Sequence, residues 1–247
     1  MEANRQGYSF LDSFSRIDTI LAESDTSFEE LDNIPSRSKL TYTNGFYVNC
    51  VALFVDIRDS SELPSKHKRP TLAKLYRTYL SEVVAVMNGN LCCAEINIEG
   101  DCVSGIYEAP YTASIESAFS DAAIINSLVK VLNYKLEQNS ITPIKVGIGL
   151  AYGRALMIKA GYSGSGLNDV VWMGDVVNEA SKLCNMANKN SDPIFVSKLI
   201  FHNLSEESKS FLSNDLWVTD YYHGNVINLA MEEWYKNNCQ SRKSWWG

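Results

Sequence analysis

Apolar residues recur along this chain in two rhythms, one helical and one strand-like. Residues 8–23 set Phe10, Leu11, Phe14, Ile17, Ile20 and Leu21 at helical spacing, which predicts an amphipathic helix. Packing of its apolar face on the rest of the chain is the expected role for a helix of that length. Residues 24–39 are polar and acidic, carry Pro35, and read as a linker or strap. Residues 46–57 (FYVNCVALFVDI) are almost continuously apolar and β-branched, the pattern of a central strand covered on both faces. Residues 71–87 place Leu72, Leu75, Tyr79, Val83 and Val86 on one helical face. Residues 91–98 and 102–108 read as two strands joined by a short turn, Glu99-Gly100-Asp101.

A long helix is predicted over 112–137, with Thr112 and Ser114 as candidate caps and Pro143 as the stop. Strands follow at 144–151, 155–160 and 169–173, the last two flanking the glycine-rich turn GYSGSG. Asp175 opens a helix, residues 194–197 form a short strand, and a helix near 198–212 precedes strands at 216–222 and 226–230. The first half of this order, β-α-β-β-α-β, is the ferredoxin-like arrangement. The expected class is therefore α+β: a ferredoxin-like βαββαβ core with extra strands and an N-terminal helix. Residues 1–41 read as a helical extension and linker, 42–235 as one domain, and 236–247 as a polar tail.

Composition narrows the function. At 45% hydrophobic and 21% charged residues over 247 positions, the chain is globular rather than disordered, collagen-like or coiled-coil. Its 22 basic and 29 acidic residues leave a net charge of −7, which disfavours tracking a nucleic acid polymer. A small anionic ligand remains open, above all where a divalent cation shares its charge. No apolar run is long enough for a membrane span, and the first residues lack a signal pattern. The six cysteines form no CxxC pair, so a reduced, cytoplasmic protein is expected, with no membrane partner.

The chemistry gathers in three segments. Asp56 ends the most hydrophobic strand, where a carboxylate is costly without a cation. Asp101 sits in the hairpin turn that a βαββ order brings beside that strand end. Together with the Ile57 carbonyl, the two suit Mg²⁺ or Mn²⁺; spacing alone favours the plainer reading, Asp101 as a turn residue and Asp56 as a helix cap. Arg58, Asp59, Ser60 and Ser61 join the strand to a helix, a junction whose N–H groups can cradle phosphates. The basic run Lys66-His67-Lys68-Arg69 either steers a polyphosphate or is a solvated loop. On the helix opened by Asp175, Asn178 and Lys182 stand four apart and share a face. An amide and a cation so placed either bind an oxyanion or make an ordinary polar surface.

In that order FVDIRDSS, IEGDCVSGIY and WMGDVVNEASKL resemble the three motifs of the class III nucleotidyl cyclase catalytic domain, over about residues 46–230. The resemblance implies two divalent cations on Asp56 and Asp101 with the Ile57 carbonyl. It also implies attack of a nucleoside triphosphate's 3′-hydroxyl on its own α-phosphate, with release of pyrophosphate. It further implies a head-to-tail homodimer with shared sites, the carboxylates coming from one copy and the Asn178–Lys182 helix from the other. Lys182 stands where that family has an arginine and so lacks the guanidinium fork; Arg58 and Arg154 are candidate replacements. The family's base-reading positions fall on Asn97 and Val171, which match neither adenine nor guanine readers. Tyr47 or Asn49, with Trp172 or Phe54 for packing, are candidate readers of a smaller base. The pattern is similar to the pyrimidine cyclases of the bacterial Pycsar anti-phage system. That likeness implies conversion of UTP or CTP to cyclic UMP or cyclic CMP, as a messenger for a separate effector protein. A purine cyclase and an inactive nucleotide-binding module are the alternatives.

Overall fold

The structure, a computed structural model, describes residues 2–163, 165–189, 191–215 and 220–240. The strands are β1 (Phe28–Leu31), β2 (Gly45–Ile57), β3 (Cys93–Glu99), β4 (Cys102–Glu108), β5 (Val146–Tyr162), β6 (Leu167–Met173), β7 (Ile194–Ser197) and β8 (Tyr221–Gly224). The α-helices are α1 (Phe10–Leu21), α2 (Leu63–Lys66), α3 (Arg69–Asn88), α4 (Thr112–Gln138), α5 (Asp175–Met186), α6 (Lys198–Asn203), α7 (Glu206–Lys209) and α8 (Leu229–Tyr235).

The sheet runs β3-β4-β2-β5-β7-β8, with β1 beside β2 and β6 beside β5. Its antiparallel quartet β3-β4-β2-β5 has the strand order of a ferredoxin-like unit, as the sequence predicts. The near-continuous apolarity of β2 has a direct cause, because alternate residues feed two cores. Val51, Leu53, Val55 and Ile57 join α3 and α4 on one face. Phe46, Val48, Cys50 and Ala52 join Trp172 of β6 and Val176 and Ala180 of α5 on the other.

Backbone contact sets the position of α5. A Cβ added to Gly149 of β5 would lie 2.1 Å from the Cys184 nitrogen and 2.3 Å from the Ala180 oxygen. One added to Gly147 would lie 2.4 Å from the Cys184 oxygen. The helix therefore rests on the strand at a separation only glycine permits.

Several predicted elements differ. Residues 144–151 and 155–160 form one strand, because β2 is long enough to pair β5 from Gly45 to Ile57. The strap contains β1, paired in parallel with the start of β2. Neither Thr112 nor Ser114 caps α4; Tyr111 holds the cap position without a side-chain bond. The predicted helix 198–212 breaks at Leu204 because Ser205 caps a new one, accepting from the Ser208 N–H. Residues 216–219 lie outside the described residues. The strand expected at 226–230 is not formed, since the Asn228 side chain caps α8 there. Helical structure continues from α8 through Lys236–Gln240 with Cys239 buried, so packed structure passes residue 235.

The amphipathic helix α1 forms, but no residue of it is buried. Phe10 is 59% exposed and Leu21 79%. It touches the sheet through Arg16, stacked over the Tyr162 ring at 4.7 Å. The expected packing fails because both apolar faces of β2 are already covered by other elements.

Gly149→Ala is expected to destabilise the fold by about 2 kcal/mol or more, since the overlap is with backbone rather than a movable side chain. For a chain of this size that lowers the thermal midpoint by roughly 4–8 °C. Gly7→Ala, which meets nothing within 4 Å, should leave the midpoint unchanged.

Candidate active site

Strand β2 delivers Asp56 and Ile57 to the edge of the molecule between β4 and β5. Val55 is in register with Val103, Asp56 with Gly147 and Ile57 with Val146. The β3–β4 hairpin turns at Gly100, whose φ of 67° lies in the left-handed region, and this sets Asp101 just before Cys102. The Asp56 carboxylate senses the Asp101 charge. The Asp56 carboxyl is pushed above its ordinary range, first by burial and next by the Asp101 charge, while Arg58 and Lys189 oppose the rise. Asp101 Oδ2 is buried without a hydrogen-bond partner. An orphaned carboxylate oxygen beside a second carboxylate is expensive unless a cation joins them. Among the described residues no cluster of three His, Cys, Asp or Glu side chains exists, so a cation here would draw on this pair and on main-chain oxygen.

Arg58 does not project toward a phosphate. Its side chain is buried, with Nη2 donating to Asp56 Oδ2 at 2.7 Å and Nη1 to the Asn185 carbonyl at 3.1 Å. Its backbone N–H donates to the Lys145 carbonyl at 2.8 Å. The residue fastens Asp56 to the C-terminal end of α5, and its remaining Nε, without a partner, is buried away from any phosphate, which corrects its assignment as a phosphate contact. Asp59, at φ 55°, then turns the chain into the short 3₁₀ segment Ser60–Glu62 that leads to α2. In the basic run, His67 Nε2 accepts from the Thr142 N–H and Lys66 pairs with Glu62.

A second feature lies on the face of the sheet that carries α5. A cleft of about 410 Å³ is lined by Phe54, Asn97, Val171, Trp172, Asn178 and Ser181, among others. Phe54 and Asn97 reach it because each is in register with Ser104, on opposite sides of β4. The Trp172 indole N–H is buried there without a partner. Five sequence candidates, Phe54, Asn97, Val171, Trp172 and Asn178, thus converge. Lys182 lies on the exposed surface of α5 outside this lining, and Ser181 faces the cleft instead.

Tyr47 does not join them. It lines a separate depression of about 140 Å³ with Asn49, Glu30 and Arg154. It precedes Phe54 by seven strand residues, which is roughly 23 Å at about 3.3 Å per residue. Arg154 stacks over its ring at 4.1 Å and pairs with Glu30 at 2.8 Å. The assignments of Tyr47 to the base and of Arg154 to the phosphate therefore fail within one chain, because the length of β2 separates them from the cleft and from Asp56.

Two cations escaped the sequence reading. Lys145 is exposed immediately before β5, and Lys189 follows α5 with its charge felt by Asp56. No local motif marks either: strand register brings the Lys145 carbonyl to the Arg58 N–H, and helix docking brings the Lys189 charge to Asp56.

No family model matches the chain. Among solved structures, the adenylyl cyclase CyaB from P. aeruginosa superposes with a TM-score of 0.62 over 73% of this chain and 95% of that one, at 19% identity. The fold is that of a class III nucleotidyl cyclase domain. A curated uridylate cyclase from Gulbenkiania mobilis is 40% identical across 96% of this chain and 100% of its own length. Another, from Treponema porcinum, is 36% identical across 92% of this chain and 80% of its own. The chain belongs to the uridylate cyclase family.

Asp101→Asn removes both the orphaned charge and its repulsion of Asp56. Without metal its melting temperature is expected to equal or exceed that of the parent. Mn²⁺ should raise the parent's midpoint but not the variant's; calorimetry with and without the ion checks both.

Proposed function

We propose that the protein converts UTP to 3′,5′-cyclic UMP and pyrophosphate, with CTP to cyclic CMP as the nearest variant. The product would serve as a messenger for a separate effector in anti-phage defence. The observation that carries this reading is the kinship with uridylate cyclases along nearly the whole chain. The cleft agrees with it. Opposite Val171 a purine edge would leave a polar group unpaired, at a cost of about 1–3 kcal/mol. Phe54 and Trp172 offer apolar walls to a smaller ring.

The donor set at Asp56, Asp101 and the Ile57 carbonyl fits two divalent cations, Mg²⁺ or Mn²⁺. When bound, these lower the pKa of the 3′-hydroxyl and offset the triphosphate charge. Arg58 holds Asp56 in place, and the turn Asp59-Ser60-Ser61 presents backbone N–H groups toward the phosphates. The hydroxyl oxygen bonds to the α-phosphorus as the bond to the pyrophosphate oxygen breaks. In the proposed head-to-tail homodimer, Asn178 and Lys182 reach across from the second copy, the amide fixing the sugar and phosphate oxygens and the ammonium balancing charge on the α-phosphate. Asn97 and Val171 line the base end of that same half-site.

The test is incubation of the purified protein with each of the four ribonucleoside triphosphates and Mn²⁺, with products identified by mass. Cyclic UMP is expected to dominate, and cyclic AMP as the main product would overturn the proposal. No product from a dimeric sample would favour a nucleotide-binding module, a reading that Lys182 in place of arginine keeps open. Asn178→Ala should lower kcat by on the order of 10² to 10³ while the protein remains folded.

A further inference from the structure

The proposed reaction leaves a gap in its charge inventory. Arg58, the cation nearest Asp56, is buried and committed, and Lys182 stands outside the lining of the cleft. Lys189 occupies a different position. It follows Asn188, which adopts φ 58° and is fixed at two points: its N–H donates to the Asp192 carbonyl at 2.9 Å and its side-chain amide to the Val146 carbonyl at 3.0 Å. Val146 is the register partner of Ile57. The loop is thereby pinned to the strand that flanks the carboxylate pair.

Asn185 completes the placement. Its carbonyl accepts from Arg58 Nη1, and its side-chain oxygen accepts from Lys189 Nζ at 2.7 Å. Both cations grip one residue, and the other arm of Arg58 holds Asp56. Lys189 is exposed, and among the described residues no carboxylate pairs with it. Its ammonium rests on a neutral amide, a contact that an anion can displace at little cost.

We propose that Lys189 is a further substrate-binding residue, whose ammonium leaves Asn185 to grip the triphosphate of a nucleotide seated at the Asp56–Asp101 end of its own chain. This rests on the reading of that end as a nucleoside triphosphate site. It gives the carboxylate-bearing copy a mobile cation of its own, and so relieves the demand on Lys182 from the other copy.

Inorganic tripolyphosphate with Mn²⁺, titrated calorimetrically into the full-length protein, probes the subsite without regard to the base. Lys189→Gln is expected to weaken its binding about tenfold, and Lys189→Arg to restore most of it. In turnover, Lys189→Gln should raise the KM for the triphosphate substrate far more than it changes kcat. Unaltered tripolyphosphate affinity in Lys189→Gln overturns the proposal, as does failure of the parent to bind the probe. If Lys189 matters only to the end of α5, Lys189→Gln lowers the melting temperature and leaves binding intact, which also overturns it. A parent that makes a cyclic purine nucleotide, yet binds tripolyphosphate through Lys189, overturns the pyrimidine reading and leaves this one standing.

Discussion

Everything at the candidate site depends on the contact of α5 with β5. A helix normally sits on a sheet through side chains, about 10 Å away. Here Gly147 and Gly149 let helix backbone touch strand backbone, with Cys184 and Ala180 filling the space a Cβ would need. This approach brings the Asn185 carbonyl within reach of Arg58, and through Arg58 it orients Asp56. An adjoining face of the same helix sends Val177, Asn178 and Ser181 into the cleft. One helix thus serves both the carboxylate end and the cleft, and its height above the strand governs both.

The charges follow from this geometry. An acidic protein that handles a polyanion must confine its positive charge to the place where it counts. The chain does so with a buried guanidinium that organises one carboxylate, a second carboxylate left with an unsatisfied oxygen, and lysines at the rim. The cost is borne by the resting fold, where Asp56 and Asp101 repel each other. Such local strain is common where function, rather than stability, selects the residues.

Much of the architecture was legible in the sequence, because period-2 and period-3.6 patterns are imposed by burial. The two-sided apolarity of β2 and the β3–β4 hairpin are read directly from residues 46–57 and 91–108. The carboxylate pair was legible because a βαββ order dictates which ends meet. Arg58 was misjudged since sequence shows a charge but not its burial. Tyr47 stands apart from the cleft within one chain because a 13-residue strand carries it far from Phe54. Lys189 was missed because its relation to Asp56 passes through Asn185, about 130 positions away in the chain. The exposed stripe on α1 shows the limit of periodicity, which states that a face is apolar and not what covers it.

The short strand β1 has a consequence of another kind. β4 covers one edge of β2 only from Cys50 to Val55, whereas β1 lies against Gly45 to Val48 on the remaining stretch. An uncovered stretch of a long apolar strand is a template onto which a foreign strand can add. The polar, glutamate-bearing segment at 28–31 occupies that position with its own backbone groups. The strap therefore caps that stretch of edge, and a version of the domain trimmed to begin at β2 would expose it to strand addition while keeping every residue of the carboxylate pair and the cleft.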